Sequence, residues 1–337
     1  MISKERVVRA IEFEGPDKVP NGCYYLPGAL DKYSGRLLSL FKAYPRDFAE
    51  SVWWDVRELV KSYSAGTYTD KWGCVWKNVK PGLMGRIVKH PLKDLSKIDS
   101  YELPEPTNLV DFELVKKAVN DAVKAGKYVL GDGDNFFERI HWLHGFEDTL
   151  FDIAMRRKEL KILMDRLVKL KMDLIRCWLD SGVDGLFFLD DWGTMKGLMI
   201  SPERWRELFK PCYKRMFYEI RKRACHVFFH SDGKVLDIIP DLIEIGANAV
   251  NIQVSLIGVD LLAAKFAGKA CMLPDIDRQH LLPFGKPSEI AEHIRHLVEK
   301  FGSFRGGVIA WGEIGPDVPL ENAQAMLYAF DKYGTYR

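Results

Sequence analysis

A histidine and an aspartate stand two residues apart at the point where a strongly apolar segment ends. The segment His226-Val227-Phe228-Phe229 is typical of a buried strand, and it runs into His230-Ser231-Asp232-Gly233. Since residues i and i+2 of a strand point to the same side, His230 and Asp232 can converge on one metal ion. One imidazole and one carboxylate suit Zn²⁺, Fe²⁺ or Co²⁺ better than Ca²⁺ or Mg²⁺. The alternative is a structural histidine, with Asp232 orienting it or capping the following helix.

Other apolar segments also end in acidic residues. Residues 185–189 are followed by Asp190 and Asp191, and residues 307–310 lead through Trp311 and Gly312 to Glu313. Asp190 and Asp191 point to opposite sides if the strand continues. One of them is therefore expected to face the region where the C-terminal ends of the strands meet. Carboxylates and a histidine gathered at the C-terminal ends of several parallel strands indicate an active site.

The elements that position these residues alternate regularly from about residue 111 onward. Short apolar segments at 128–130, 185–189, 226–230, 249–253, 270–273 and 307–311 predict strands. Helical patterns cover 111–125, 138–156, 159–180, 202–223, 234–245, 259–266, 287–300 and 321–332. This alternation predicts βα units and a parallel sheet. With one or two strands expected before residue 125, we predict a single (β/α)8 barrel domain over residues 1–337. No glycine-rich phosphate-binding motif lies at a strand–helix junction, which disfavours a doubly wound nucleotide-binding sheet.

The N-terminal third of the chain is irregular and rich in aromatic residues. A first strand is expected within residues 19–27, and a β-hairpin insertion at about residues 65–92. Packing of this hairpin explains most of the aromatic side chains, although several could line a pocket for a flat aromatic substrate. These side chains are Tyr24, Tyr25, Trp53, Trp54, Trp72, Trp76, Phe136 and Phe137.

Composition and charge limit the classes of protein to which the chain can belong. It has 337 residues, 47% of them hydrophobic and 28% charged, with a net charge of +2, as is ordinary for a soluble enzyme. Charges of one sign form no long run, so nucleic acid is not an expected partner. The most apolar stretch, 249–268, contains Asn251, Gln253, Asp260 and Lys265, so a membrane is not expected either. Six scattered cysteines and the lack of a signal-peptide pattern predict a reduced, cytoplasmic protein.

Several blocks of the sequence resemble the uroporphyrinogen decarboxylase superfamily over nearly the whole chain. The blocks are residues 68–73, 189–193, 199–203, 230–233, 238–247, 275–279, 282–285 and 317–322. The resemblance implies a (β/α)8 barrel. It also implies one of two activities, porphyrinogen decarboxylation or corrinoid-linked methyl transfer.

Three positions separate the branches of that superfamily. Its decarboxylases carry an arginine-rich N-terminal motif that holds substrate carboxylates, whereas the matching residues 22–30 contain no arginine. Its zinc methyltransferases with thiol acceptors use a His-x-Cys pair and a later cysteine; here Asp232 occupies the first cysteine position and the later one falls at or beside Glu313. The remaining resemblance is to methyltransferases of corrinoid-dependent O-demethylase systems. These move a methyl group from a methoxylated compound, expected to be aromatic, or another methylated small molecule to the Co(I) of a corrinoid protein.

The resemblance assigns expected roles to individual residues. The convergence of the strand ends predicts one Zn²⁺ bound near His230, with Asp232 or Glu313 as a further ligand, and the alternative is acid catalysis without zinc. The resemblance implies that the corrinoid is supplied by the partner protein. The candidate catalytic residues are Asp191, Glu313 and Asp190, because a carboxylic acid whose pKa is raised by burial can protonate the leaving oxygen. The candidate substrate-binding residues are Tyr24, Trp192, Asp134, Gln253 and Asp275. The superfamily often forms dimers, so a homodimer is a further expectation.

Two alternative functions stay open at this point. The first is a uroporphyrinogen decarboxylase-like enzyme, in which Lys32 or Arg36 supplies the missing cations near Tyr24. The second is a non-catalytic barrel that binds a tetrapyrrole or a corrinoid.

Overall fold

Parallel strands form the centre of the protein in a computed structural model that describes residues 1–50, 61, 63–81 and 84–336. In chain order, the strands in these ranges are β1 (Tyr24–Tyr25), β2 (Gly66–Thr69), β3 (Val75–Asn78), β4 (Arg86–Lys89), β5 (Leu130–Asp134), β6 (Gly185–Leu189), β7 (His226–Ser231), β8 (Ala249–Ile252), β9 (Cys271–Pro274) and β10 (Glu313–Ile314). Strands β5 to β9 pair in parallel and in chain order, as the predicted βα units require.

Further parallel pairing extends this sheet beyond β9. A bridge between Met272 and Val308 adds the strand that ends in β10, and β10 pairs in parallel with β1. The first and last strands of the chain are therefore neighbours, which is the arrangement that a closed barrel needs.

The segment around Phe48 fills the position between β1 and β5. The amide of Asp47 donates to the carbonyl of Asn21, just before β1, at 2.8 Å, and Phe48 pairs in parallel with Tyr128, just before β5. The ring consists of eight parallel segments: β1, the segment around Phe48, β5 to β9, and the strand that ends in β10. This arrangement confirms the predicted (β/α)8 barrel.

Large side chains fill the inside of the barrel. Phe48 makes edge contacts with Tyr128 and Trp311, with ring centroids 5.4 and 5.9 Å apart, and Phe187 packs against Trp311 at 5.6 Å. All four rings are buried. Because the interior is packed, a ligand of the barrel has to bind at the C-terminal ends of the strands, which we call the mouth.

Helices surround the barrel. In the described ranges they are Ser3–Ile11, Pro27–Tyr33, Gly35–Ala43, Pro106–Leu109, Phe112–Lys124, Phe137–His144, Phe146–Met155, Lys158–Asp180, Pro202–Leu208, Lys210–Arg221, Ile239–Glu244, Val254–Ile257, Val259–Phe266, Leu281–Phe284, Pro287–Phe301 and Leu320–Tyr333, with a 3-10 helix at Leu95–Ser100. None of the described helices combines the length and the apolar character that a membrane span needs.

Two predicted helices are each divided in two. The pattern at 138–156 breaks at Gly145, whose φ of 109° lies outside the helical region. The pattern at 202–223 breaks at Phe209, since Pro211 lacks the amide hydrogen that a continuous helix would use. The predicted helix 234–245 is shorter than expected and covers Ile239–Glu244.

The predicted N-terminal hairpin is present and has a third strand. Strands β2, β3 and β4 form an antiparallel sheet in that order, while residues 82 and 83 lie outside the described ranges. Trp76 is buried against Trp142, with ring centroids 5.3 Å apart, and its indole N–H donates to Asp70 at 2.8 Å. Packing therefore accounts for Trp76, as expected. Trp53 and Trp54 lie outside the described residues.

Candidate metal centre at the mouth of the barrel

The ends of β6 and β7 bring three potential metal ligands together. Nε2 of His230 lies 3.4 Å from Oδ1 of Asp191 and 3.6 Å from Oδ1 of Asp232. One ligand atom from each residue lies within 4.8 Å of the other two. We call these three residues the mouth cluster. One imidazole nitrogen and two carboxylates at these distances form a candidate site for a divalent cation.

Asn251, at the end of β8, determines which nitrogen of His230 faces the carboxylates. The side-chain amide of Asn251 donates to the carbonyl of Leu273 at 2.7 Å, so its oxygen points towards His230. That oxygen lies 2.6 Å from Nδ1 of His230, which therefore carries a hydrogen and donates it. In the neutral imidazole, the lone pair is then on Nε2, on the side of the two carboxylates. Histidine ligands of metals are commonly held by a second residue in this way.

Charge couples His230 to its two acidic neighbours. Burial alone would lower the pKa of His230, but the hydrogen bond to Asp191 and the charges of Asp191 and Asp232 outweigh burial and raise that pKa to about 9. Burial would likewise raise the pKa of Asp191, yet the contact with His230 holds it below its usual range. The expectation that burial raises the pKa of Asp191 is therefore wrong, because an imidazolium lies beside it. A metal ion would take the place of the proton on Nε2.

Arg278 links carboxylates that come from three different strands. Its Nη2 donates to Oδ1 of Asp232 at 2.8 Å, its Nε lies 2.9 Å from Oδ2 of Asp275, and its Nη1 lies 3.5 Å from Oε1 of Glu313. Planar guanidinium groups suit several carboxylates at once. Arg278 thus fixes the relative positions of acidic groups that would otherwise repel each other.

Glu313 lies at the mouth but outside the mouth cluster. The hydroxyl of Tyr24 donates to Oε2 of Glu313 at 2.8 Å, and Arg278 contacts its other oxygen. With both oxygens engaged in this way, the geometry does not support the metal-ligand role predicted for Glu313. Asp191, and not Glu313, is the third residue of the mouth cluster. Tyr24, a predicted substrate-binding residue, borders the same part of the mouth.

Asp275 is a buried carboxyl group on the same side of the mouth. Burial raises its pKa to about 7, even though the positive charges of Arg278 and His230 lower it. Asp275 was predicted to bind substrate. The structure adds that it can hold a proton near neutral pH, which suits it to hydrogen-bond with a ligand as a donor.

Asp190 points away from the mouth. It is fully buried, and its carboxylate accepts hydrogen bonds from the amides of Phe136 and Glu138 at 2.8 and 3.1 Å and from the hydroxyl of Tyr213 at 2.7 Å. A positioning role fits this burial better than the catalytic role predicted from the sequence. By binding the start of the helix Phe137–His144, Asp190 anchors the loop after β5 next to Asp191.

Two further predicted substrate-binding residues lie at different depths. The side chain of Trp192 is fully buried, stacks on Phe137 at 4.0 Å and donates to the hydroxyl of Tyr213 at 3.2 Å. This placement in the core does not support a substrate contact by Trp192. Gln253 accepts a hydrogen bond from the amide of Gly233 at 2.9 Å and so supports the turn that follows His230.

Asp134 lies behind the barrel wall and not in the mouth. The register between β5 and β6 shifts between Asp132 and Asp134, and such a bulge turns the following side chain to the other face. The carboxylate of Asp134 pairs with Lys171, on the helix Lys158–Asp180, at 2.6 Å. This placement does not support the substrate-binding role predicted for Asp134.

Glu138 is a residue of this region that sequence reasoning missed. Its side chain contacts Asn135, and its amide donates to Asp190. Burial, together with the charges of Asp191 and Asp190, raises the pKa of Glu138 to about 9. Arg278 and Asn251 were missed as well. The resemblance had marked the block 275–279 that contains Arg278, but no spacing rule predicts the partners of a loop arginine.

Comparisons with known proteins agree with this architecture. A family model described as uroporphyrinogen decarboxylase matches residues 79–333. A methyltransferase from Methanosarcina mazei aligns over 99% of this chain and 99% of its own, with 15% sequence identity and a TM-score of 0.74. A B12-independent methionine synthase from Shewanella sp. W3-18-1 aligns over 88% of this chain and 84% of its own, with 10% identity and a TM-score of 0.50. At these identities the two structures show similarity of fold alone. A search of curated proteins found no match.

Proposed function

Because the chain belongs to the uroporphyrinogen decarboxylase family, we propose that it is a methyltransferase that moves a methyl group to the Co(I) of a corrinoid protein. The proposed donor is a methylated small molecule, in the first place a methoxylated aromatic compound. The observation that carries the proposal is the meeting of His230, Asp191 and Asp232 at the mouth. Methyl transfer to Co(I) is an in-line displacement whose nucleophile comes from the partner. The task left to this chain is to bind the donor and to stabilise the oxygen that leaves.

The mouth cluster fits a Zn²⁺ ion with an open coordination position. Catalytic zinc sites use three protein ligands and leave the fourth position to water or substrate. His230, Asp191 and Asp232 supply three such ligands, and their side chains remain 19%, 37% and 34% exposed, so one side is accessible to a donor. Zn²⁺ bound there would supply Lewis-acid assistance to the departure of the ether oxygen.

The other residues of the mouth orient this cluster and handle protons. Asn251 holds the ring of His230, and Arg278 holds Asp232 in place. Asp275, whose pKa burial raises, is the carboxyl group suited to acid catalysis, since Asp191 stays ionised beside His230. Glu313 acts with it through their shared partner Arg278. A carboxylic acid within reach of the leaving oxygen can protonate it as the bond to the methyl group breaks.

The charge of the mouth disfavours the decarboxylase alternative. A substrate with many carboxylates would meet the carboxyl groups of Asp191, Asp232, Asp275 and Glu313. The cations suggested from the sequence are used elsewhere: Lys32 donates to the carbonyl of Pro316 at 2.7 Å, and Arg36 lies over the ring of Tyr33. Arg278 is already shared by Asp232, Asp275 and Glu313, so further carboxylates would meet net repulsion between like charges, which makes such a complex unfavourable.

We also propose that the corrinoid-bearing domain of the partner covers the mouth during transfer and excludes water from it. Fixed hydrogen bonds and charges at the mouth then act on the donor more strongly than they would in water. The homodimer and the cytoplasmic location stay predictions.

The test of this function is a methyl-transfer assay. The zinc-loaded protein is mixed with a Co(I) corrinoid protein and a panel of methoxylated aromatic compounds and methylamines, and the spectrum of methyl-Co(III) is followed. We expect at least one methoxylated donor to react, His230→Ala to lose the reaction, and His280→Ala, which changes an exposed histidine, to keep it. Release of CO₂ from uroporphyrinogen, with no methyl-Co(III) from any donor, would favour the decarboxylase.

A further inference from the structure

A second group of charged side chains lies behind β5, on the side that faces the helix Lys158–Asp180. It lines a cavity of about 140 Å³ that is separate from the mouth cluster. The charged residues are Asp132, Asp134, Arg139 and Lys171, and apolar walls are contributed by Trp72, Trp178, Leu174 and Ile175. The proposed methyl transfer uses none of these residues.

The two cations of this cavity have more donors than partners. Lys171 is only 1% exposed, and its ammonium group donates to Oδ2 of Asp134 at 2.6 Å, which uses one of its three hydrogens. Arg139 is 8% exposed, and its guanidinium lies 4.2 Å over the ring of Trp72 and 3.6 Å from Asp134. Its Nε is buried without a hydrogen-bond partner. Buried donors of this kind are normally satisfied in folded proteins.

Three of the four carboxylate oxygens of Asp132 and Asp134 already accept hydrogen bonds. Oδ1 of Asp134 accepts from the amide of Asn135 at 2.7 Å, and Oδ2 accepts from Lys171. Oδ1 of Asp132 accepts from the amide of Asp134 at 2.6 Å. Asp134 also has a φ of 58°, in the left-handed region that aspartate adopts more readily than most residues.

We propose that this cavity binds a small organic carboxylate, whose oxygens accept hydrogen bonds from Lys171 and Arg139 and whose apolar part packs against Trp72 and Trp178. Charge-assisted bonds of this type are strong when they are shielded from water. An organic carboxylate fits better than inorganic phosphate, because the walls are aromatic and aliphatic. The positive charges of Lys171 and Arg139 and the negative charge of Asp134 also sum to +1. The cavity can therefore balance a ligand with one negative charge but not a ligand with two.

Asp132 makes the affinity of this site depend on pH. The groups that face it are Asp134, Lys171 and Arg139. Burial, with the charge of Asp134, raises the pKa of Asp132 to about 7. Below that pH, Asp132 is neutral and can itself donate to the ligand, whereas above it a second negative charge repels the ligand. The affinity is therefore expected to fall by about tenfold between about pH 6 and about pH 8.

The experiment measures binding of benzoate, acetate and phosphate by calorimetry or NMR titration. We expect benzoate to bind more tightly than acetate or phosphate. Lys171→Met should weaken benzoate binding at least about tenfold, as expected for a lost hydrogen bond between charged groups. Lys169→Met, which removes an exposed lysine from the same helix, should change nothing.

A second variant covers the case that Lys171→Met does not fold. Asp132→Asn keeps the shape of the side chain and removes its titration, so benzoate binding should become nearly independent of pH. No binding of benzoate at millimolar concentration, tighter binding of phosphate than of benzoate, or equal pH dependence in wild type and Asp132→Asn would each overturn the proposal.

Discussion

The hydrogen bond between Asn251 and His230 offers a sharp test of the metal centre. Of the three proposed metal ligands, it involves only His230, and Asn251 itself is not a ligand. In Asn251→Ala, Nδ1 of His230 loses an acceptor 2.6 Å away, in a place where Asn251 itself is only 3% exposed. Loss of one hydrogen bond to a buried group costs about 1–3 kcal/mol. With ~1.4 kcal/mol for each factor of ten, a metal complex that depends on the whole bond would lose about 5–150-fold in zinc affinity. Changes around a ligating histidine usually have effects of that size.

The assay is a zinc titration in competition with a coloured chelator. Asn248→Ala is the matched control, since Asn248 lies at the other end of the same strand segment and accepts a hydrogen bond from the amide of Val227 at 2.9 Å. It should lower the free energy of unfolding without changing zinc affinity. Unchanged affinity in Asn251→Ala, or an equal loss in both variants, would refute the reasoning that Asn251 orients His230 for a metal.

Other residues give further predictions. Asp191→Asn should weaken zinc binding by about tenfold or more, whereas Glu313→Gln should change zinc affinity only a few-fold and slow methyl transfer instead. Zinc titrations and single-turnover rates separate these two effects. A larger loss of zinc affinity in Glu313→Gln than in Asp191→Asn would restore Glu313 as the ligand. Asp190→Asn should lower the free energy of unfolding by about 1–3 kcal/mol in urea, because the amide cannot accept all three hydrogen bonds of the carboxylate. In metal-free protein, Glu138 is protonated up to about pH 9 when folded but not when unfolded, so its contribution to stability is lost as pH rises towards that value. Glu138→Gln should therefore gain stability relative to wild type with rising pH, and a constant difference across urea melts would show that the pKa of Glu138 is not raised.

The strands and their terminal residues could be predicted because the signal for them is local. The apolar runs before Asp191 and His230 alternate with helical patterns, and these patterns are enough to predict the barrel. One or two strands were expected before residue 125, but the one around Phe48 was not located, because only a short segment there pairs with its neighbours, too few residues to show a period.

Side-chain direction was the part that the sequence could not settle. Alternation could not decide between Asp190 and Asp191. The amides of Phe136 and Glu138, at the start of the helix Phe137–His144, decide it by binding Asp190. Gly133 is compatible with the bulge in β5 that turns Asp134 towards Lys171, but a glycine in a strand does not by itself show that a bulge is present. Arg278 reaches its three acidic partners from a loop, and such contacts depend on the tertiary structure.

The most direct test of the central claim is single-turnover methyl transfer by protein that has been stripped of metal and then reloaded. A Co(I) corrinoid protein and the best methoxylated donor of the panel are mixed with zinc-loaded, stripped and reloaded protein, and formation of methyl-Co(III) is recorded. The proposed site predicts transfer with loaded protein, none with stripped protein, and recovery on adding zinc to wild type but not to His230→Ala. Full transfer by the stripped protein, or recovery in His230→Ala, would contradict the proposal that His230, Asp191 and Asp232 hold the metal that activates the methyl donor.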